Sequence, residues 1–124
     1  MSNITETSEQ QAVIDWCEWN VGKYPELDLI YHIPNEGKRS LVKGAELKSI
    51  GLKSGVPDLC LPVARGSYHA LYIEMKKNQK CKATKDQKEW LAKLNEQNNL
   101  AVICYSADEA INVLQRYLNL RNEV

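Results

Sequence analysis

Two carboxylates and a lysine stand at a spacing that predicts one shared site. Asp58 follows Pro57 directly, and Glu74 and Lys76 lie two residues apart further along the chain. Residues two apart on a β-strand project from the same face. We therefore expect Glu74 and Lys76 to share a face and Met75, between them, to point into the core. If the segments carrying Asp58 and Glu74 form a hairpin, the three side chains meet at one end of a sheet.

Such a cluster suits magnesium-assisted cleavage of a phosphodiester. Mg²⁺ prefers carboxylate oxygens and keeps several of its waters. The metal lowers the pKa of an attacking water and neutralises charge on the phosphate, and a nearby lysine can hold that water or stabilise the transition state. A structural ion pair is the alternative, and it stays open. The strand is otherwise apolar, with Leu71, Tyr72 and Ile73 before the pair, so charged residues on it need a reason.

Hydrophobic periodicity and turn signals predict the elements that position this cluster, in the order α-β-α-β-β-α-β-α. The predicted helices cover residues 7–21, 40–50, 84–98 and 106–120, and the predicted strands cover residues 27–33, 58–62, 69–76 and 100–105. Capping boxes are expected where Ser8 precedes Gln11, Thr84 precedes Gln87 and Ser106 precedes Glu109. This order predicts an α/β fold, in which a mixed sheet carries helices on both faces.

Length and composition exclude several classes of protein. The 124 residues, 44% of them apolar, fit one globular domain spanning residues 1–124. No apolar run approaches the roughly 18 residues that would predict a membrane span. Residues 1–9 are too polar and acidic for a signal peptide, so a cytoplasmic protein is expected. The four cysteines show no CxxC spacing, which disfavours zinc and indicates reduced thiols, with Cys60 and Cys104 buried in apolar runs.

The net charge of zero hides an uneven distribution. Residues 36–93 contain thirteen lysines and arginines against six acidic residues, whereas the rest of the chain contains three basic and ten acidic residues. A locally basic face could bind phosphates while the whole molecule stays neutral. Solvated surface lysines explain the same pattern, so charge alone leaves both interpretations open.

The chain resembles the PD-(D/E)xK nucleases, whose signature matches Pro57-Asp58 followed by Glu74-Met75-Lys76. More specifically, it resembles the stand-alone VRR-NUC domains of phages and bacteria. The matching segments follow the family order with similar spacing and cover residues 8–11, 33–40, 55–59, 68–76 and 87–91. The resemblance implies a restriction-endonuclease-like fold, a mixed β-sheet flanked by helices.

The resemblance also implies roles at the site. Glu9, Asp58 and Glu74 resemble the metal-binding carboxylates, and Met75 would offer its backbone carbonyl. Lys76 resembles the catalytic lysine. The expected cofactor is Mg²⁺, with Mn²⁺ as a substitute. Gln87 matches a glutamine near the site on the helix after the Glu-x-Lys strand, and it is also the third residue of a predicted capping box, so it can fulfil both roles.

Other polar residues divide between DNA contact and ordinary surface. Contacts with the DNA backbone are expected from Asn35, Lys38, Arg39, Ser40, Lys77, Lys80 and Lys82, although polar turns and loop lysines are the alternative. Glu36 departs from the family, which often has glycine there; it is either a turn residue or an acid that enters the metal site. We interpret His32 and His69 as structural. We expect the three tryptophans, Trp16, Trp19 and Trp90, to belong to the core.

The resemblance implies a metal-dependent, structure-selective DNA endonuclease. Stand-alone members resemble homodimeric resolvases of Holliday (four-way) junctions, and two symmetry-related sites suit paired nicks. The apolar faces of the first helix and of the last helix, the latter with Ile111, Leu114 and Leu118, are either dimer surfaces or core. A flap or nicking nuclease and a non-catalytic DNA-binding module are the alternatives. The sequence leaves open the number of metals, any sequence preference at the cut, the protein partners and the pathway.

Overall fold

The computed structural model describes residues 4–34 and 41–121 of the chain. Helices and strands occur in the predicted order, with one additional 3₁₀ helix near the N-terminus. The elements are α1 (Glu6–Trp19), the 3₁₀ helix (Pro25–Leu29), β1 (Tyr31–His32), α2 (Leu41–Ser49), β2 (Leu59–Leu61), β3 (Leu71–Met75), α3 (Lys85–Glu96), β4 (Leu100–Cys104) and α4 (Ala107–Leu118). Within these two ranges, no helix has the length and apolar character needed to cross a membrane.

The strands form one mixed sheet in the order β1-β2-β3-β4. Strand β2 pairs antiparallel with both β1 and β3, whereas β3 and β4 are parallel. Parallel neighbours need a crossover connection, and α3 supplies it. The predicted mixed α/β sheet and the hairpin of β2 and β3 are therefore confirmed.

The hairpin register divides the sheet into two faces. Leu59 pairs with Ile73, Cys60 with Tyr72 and Leu61 with Leu71. Because side chains alternate along a strand, one face, here called the core face, is fully apolar. It carries Leu59, Leu61, Leu71, Ile73 and Met75. The opposite face, here called the site face, carries Cys60, Tyr72 and Glu74.

Helices α1 and α4 cover the core face. Val13 and Cys17 of α1 and Leu114 and Tyr117 of α4 are buried in the same cluster as the core-face residues. The Tyr117 hydroxyl donates a 2.6 Å hydrogen bond to the carbonyl of Val63, which satisfies the polar end of a buried ring. Leu118 is buried in this cluster as well. The apolar stripe of the last helix is thus core at Leu114 and Leu118.

The predicted strand over residues 27–33 is wrong for most of its length. Pro25 opens a 3₁₀ helix instead, and only Tyr31 and His32 form a strand. The proline ring fixes a helical φ and suits the first position of a helix. Leu27 alone of the apolar residues in this helix is buried, whereas Leu29 is exposed, so a single anchor replaces the alternating burial of a strand.

Of the three predicted capping boxes, only the one at α3 is confirmed in full. At α1 the N-cap is Thr5, whose hydroxyl accepts from the backbone of Ser8, so the predicted pair of Ser8 and Gln11 is wrong by one turn of helix. At α3 the box of Thr84 and Gln87 is confirmed. At α4 the Ser106 side chain caps the helix, but the Glu109 carboxylate accepts from the N–H of Tyr105, one residue before the N-cap.

All four cysteines lie in the described ranges, and each is a free thiol, as predicted. Cys17, Cys60 and Cys104 are buried, whereas Cys81 is only half-buried. Burial raises the pKa of Cys17 and of Cys104 to about 12. These two thiols therefore act as small apolar core residues.

Candidate active site

The hairpin brings Asp58 and Glu74 together. Leu59 pairs with Ile73, so the antiparallel register places Asp58, one residue earlier, opposite Glu74, one residue later. The Asp58 carboxylate accepts a 2.7 Å hydrogen bond from the backbone N–H of Met75. That bond holds the Asp58 side chain against β3 and beside Glu74, as the spacing in the sequence predicted.

Strand β1 fixes the backbone of Asp58 from the other side. The N–H of Ile33 donates to the Asp58 carbonyl at 2.8 Å. The Nδ1 atom of His32 lies 2.9 Å from the same carbonyl and 3.0 Å from the side-chain amide of Gln10. Nδ1 donates to that carbonyl in one tautomer of the ring and accepts from the Gln10 amide in the other. His32 therefore has a structural contact, in agreement with the sequence interpretation.

Glu74 is a buried acid with one oxygen left free. The residue is 2% exposed. Its Oε2 accepts a 3.2 Å hydrogen bond from the Gln87 amide, whereas its Oε1 is buried and has no hydrogen-bond partner among the described residues. Burial, and then the charge of Asp58, raises the pKa of Glu74 to about 8. An ionised Glu74 thus calls for a positive charge close to its free oxygen.

Lys76 is also withdrawn from solvent, at 6% exposure. Its Nζ donates a 2.9 Å hydrogen bond to Oε1 of Gln87. It lies 3.7 Å from Oε2 of Glu74 and 3.9 Å from Oε1 of Glu6. The aliphatic stem is therefore buried, and the amino group is directed at the carboxylates.

Gln87 fulfils both of the roles considered for it. Its Oε1 accepts from the backbone N–H of Thr84 at 2.9 Å and so closes the capping box of α3. The same oxygen accepts from Lys76, and the amide nitrogen donates to Glu74. One side chain thus starts α3 and joins the two charged residues of the site.

Gly55 allows α3 to approach the loop that leads to Asp58. It adopts a left-handed φ of 86°, and a Cβ built on it would lie 2.6 Å from the backbone carbon of Asp86 in the first turn of α3. Only glycine fits such a close backbone approach without displacing its neighbour. The residue before Gln87 therefore packs directly on the loop before Asp58.

The two acidic residues in the first turn of α1, Glu6 and Glu9, make different contacts. Glu9 accepts a 3.2 Å hydrogen bond from the backbone N–H of Ala107 and so binds the N-terminus of α4. Glu6, one turn earlier, lies at Lys76, and its charge contributes to the raised pKa of Glu74. Glu6 was missed because the predicted helix began after it. Its three-residue spacing from Glu9, which puts both on one helix face, was the available signal.

The two central carboxylates suit a hard divalent cation. In the described ranges, no three side chains of His, Cys, Asp or Glu are grouped closely enough to hold a metal. Mg²⁺ does not require such a group, because proteins commonly bind it through one or two carboxylates and leave several waters in place. Asp58 and the buried oxygen of Glu74 that has no partner among the described residues are carboxylate oxygens of the kind that Mg²⁺ prefers. The residues present therefore fit magnesium.

Comparison with known proteins identifies the family. The sequence profile of the VRR-NUC domain matches residues 4–108. The chain belongs to the VRR-NUC family. A solved structure described as a VRR_NUC domain protein shares 34% sequence identity and superposes with a TM-score of 0.84, covering 98% of this chain and 94% of that one. No curated protein matches the chain.

Family membership makes this a nuclease domain of the PD-(D/E)xK type. Asp58, Glu74 and Lys76 all lie in the part matched by the VRR-NUC profile. Among the predicted DNA contacts, Asn35, Lys38, Arg39 and Ser40 fall outside the described residues, as does Glu36. Lys77, Lys80 and Lys82 are exposed in the loop between β3 and α3.

The structure also shows where the three tryptophans and His69 lie. Trp16 packs against the core, and Trp90 is half-buried. Trp19 was expected in the core, but it is 87% exposed, because it is the last residue of α1 and lies beyond the stripe of Val13 and Cys17. His69 is exposed, and its backbone N–H donates to the carbonyl of Asn98.

Proposed function

We propose that this chain is a metal-dependent, structure-selective DNA endonuclease that hydrolyses phosphodiester bonds, and that it acts as a homodimer on four-way (Holliday) junctions. One observation carries the catalytic part of this proposal. Asp58, Glu74 and Lys76 converge at one end of the β2–β3 hairpin, where Glu74 keeps a buried oxygen without a partner among the described residues. A structural ion pair would not leave that oxygen unsatisfied, because an unpaired buried acceptor costs about 1–3 kcal/mol.

Asp58 and Glu74, with the backbone carbonyl of Met75, would hold Mg²⁺, or Mn²⁺ in its place. The bound metal would supply an activated water and neutralise charge on the phosphate. Glu74 is kept in one orientation by the Gln87 amide, which engages Oε2 and leaves Oε1 free. Asp58 is oriented by the N–H of Met75.

Lys76 is the residue that would act on the reacting atoms directly. Gln87 accepts one of its hydrogens, and further hydrogens remain to orient a water or to stabilise the charge that develops on the phosphate. Gln87 has no proton-transfer role here. It holds the side chains of Lys76 and Glu74 in position through its hydrogen bonds to both.

The role of Glu9 stays a prediction from the resemblance. A third metal ligand on α1 would strengthen the site, but the Glu9 carboxylate is bound to the N-terminus of α4 in this structure. That hydrogen bond uses Oε2, so Oε1 is the Glu9 oxygen that would bind a metal. Measurement of Mn²⁺ affinity in Glu9→Gln tests this assignment directly.

DNA recognition would depend mainly on the phosphate backbone. The exposed lysines of the β3–α3 loop follow Lys76 directly in the chain, and this supports the proposal that they contact the phosphates beside the site. Asn35, Lys38, Arg39 and Ser40 are proposed to contact the backbone as well. Contacts of this kind position a duplex without reading its sequence, which suits an enzyme selective for DNA shape.

Cleavage of a labelled four-way junction beside a matched linear duplex tests this function. We expect paired cuts in the junction with Mg²⁺ or Mn²⁺, none with EDTA, and little cutting of the duplex. Lys76→Ala should bind the junction and fail to cut it. Cutting of flaps in preference to junctions would support a flap nuclease, and binding without cutting in every metal would support a non-catalytic module.

The oligomeric state needs a separate measurement. Sedimentation of the free protein and of its complex with one junction gives the number of chains in each. Two chains per junction are expected, because two related sites are needed to nick two strands. A single chain that still makes paired cuts would contradict the homodimer.

A further inference from the structure

Two tyrosines flank a buried cysteine on the site face of the sheet. Tyr31 of β1 pairs with Cys60 of β2, and Cys60 pairs with Tyr72 of β3. The three side chains therefore form one row across three strands. Cys60 is 2% exposed, Tyr72 is half-buried and Tyr31 is 51% exposed. The outer ring is thus open to solvent while the cysteine beneath is covered.

This tyrosine row adjoins the candidate active site. Asp58 and Glu74 occupy the next row on the same face, two residues away along β2 and β3. At about 3.3 Å per residue the two rows lie about 7 Å apart. Successive nucleotides of a duplex strand are about 3.4 Å apart along the axis. The two rows are thus about two duplex steps apart, so a strand whose phosphate reaches Asp58 and Glu74 presents its neighbouring nucleotide to the tyrosines only where it is extended beyond duplex spacing.

The chemistry of the row suits a base and its phosphate. A hydrogen bond with Cys60 raises the pKa of Tyr31. Burial, followed by the charge of Cys60, raises the pKa of Tyr72 to about 12. Both phenols are therefore neutral near pH 7, so they do not repel a phosphate and can donate to it. Their aromatic faces can stack on any base, which makes the contact tolerant of sequence.

We propose that Tyr31 and Tyr72 form a stacking subsite for an unpaired base next to the scissile phosphate. The proposal rests on the nuclease function proposed above and refines its substrate class. A base inside an intact duplex has both faces covered by its neighbours, so only a nucleotide released from the stack can occupy the row. DNA with splayed nucleotides near the cut, as at a branch point, is therefore favoured over continuous duplex.

Fluorescence of 2-aminopurine tests this subsite without relying on cleavage. 2-Aminopurine replaces a base at the branch point of a four-way junction, so that no cut has to be mapped. Binding is measured in EDTA. Wild-type protein should quench the probe by stacking, and Tyr31→Phe should quench it equally, because the ring is kept. Tyr31→Ala should lose the quench and bind about tenfold more weakly, as expected for one base–aromatic stack.

Trp19→Ala is the matched control, since it removes another exposed aromatic ring at the far end of α1. It should quench and bind as wild type does. Thermal unfolding should be nearly unchanged in Tyr31→Ala, whose side chain is half exposed. Quenching and affinity of Tyr31→Ala equal to wild type would overturn the subsite and leave the nuclease proposal standing. Quenching that depends on Tyr31 in a protein that cuts no DNA would support the subsite and overturn the nuclease.

Discussion

Replacing Gly55 with alanine tests how tightly the start of α3 is held against the site. The added Cβ would lie 2.6 Å from the backbone carbon, 2.7 Å from the Cβ and 2.8 Å from the carbonyl oxygen of Asp86. All three atoms belong to the helix or are fixed to it, so no flexible side chain can move away. The first turn of α3 must shift, and Gln87 must shift with it.

Two costs add in this variant, and another glycine separates them. A left-handed φ costs an alanine about 1–2 kcal/mol, and overpacking costs about 1–3 kcal/mol more. Gly51 also has a left-handed φ, of 111°, but a Cβ there meets nothing within 4 Å. We expect Gly51→Ala to lose about 1 kcal/mol of unfolding free energy and Gly55→Ala to lose about 3 kcal/mol.

Urea unfolding and junction cleavage measure the two consequences. A shift of about 1 Å in a positioning group can lower a rate about 100-fold, so Gly55→Ala should cut about 100-fold more slowly under conditions where it is folded. Gly51→Ala should cut at the wild-type rate. Equal losses of stability in the two variants, together with wild-type cleavage by Gly55→Ala, would refute the close packing of α3 on this loop.

Three further outcomes are expected. Glu9→Gln should weaken the cap of α4 and lower the unfolding free energy by about 0.5–1 kcal/mol. Glu6→Gln should lower the cleavage rate more than it lowers the stability. The reverse pattern in urea melts and rate assays would contradict these separate roles of Glu9 and Glu6. Gln87→Glu should keep the capping box and therefore the stability of α3, but it should lose cleavage, because a carboxylate cannot donate to Glu74; unchanged cleavage would show that the donor is dispensable. The pKa of Glu74 in the folded protein, about 8, lies above the ordinary 4.5, so without metal the unfolding free energy should fall by about 2 kcal/mol from pH 6 to pH 8. That slope should be absent in Glu74→Gln and weaker with Mg²⁺, and equal slopes in thermal melts of the two proteins would exclude Glu74 as its source.

The sequence predicted those elements whose local signals agree with their packing. The β2–β3 hairpin combines apolar runs with a turn, and α3 opens with a capping box that the structure contains. Asp58 and Glu74 followed from the hairpin, because an antiparallel register places them opposite each other. These inferences need only strand alternation and one turn, which are local properties.

The remaining features depend on contacts between distant residues. Residues 27–33 alternate as a strand would, but the 3₁₀ helix buries Leu27 alone, and only tertiary packing decides between the two. Glu6 lies near Lys76, whereas Glu9 binds the N-terminus of α4, and this difference depends on where that N-terminus lies relative to α1. The tyrosine row needed the pairing of β1 with β2, which a two-residue strand does not signal in the sequence.

One oxygen of Gln87 holds together the two ends of the lysine-rich loop, residues 77–83. Lys76 and Thr84, the residues on either side of residues 77–83, are both hydrogen-bonded to this one atom. The chain between them can lengthen at little entropic expense, since doubling a flexible loop costs only about 0.6 kcal/mol, and the ends would stay in place. If the lysines of this loop bind DNA as proposed, evolution or engineering could add, remove or exchange them to change the strength of binding and its salt dependence, while Lys76, Gln87 and Glu74 keep their positions.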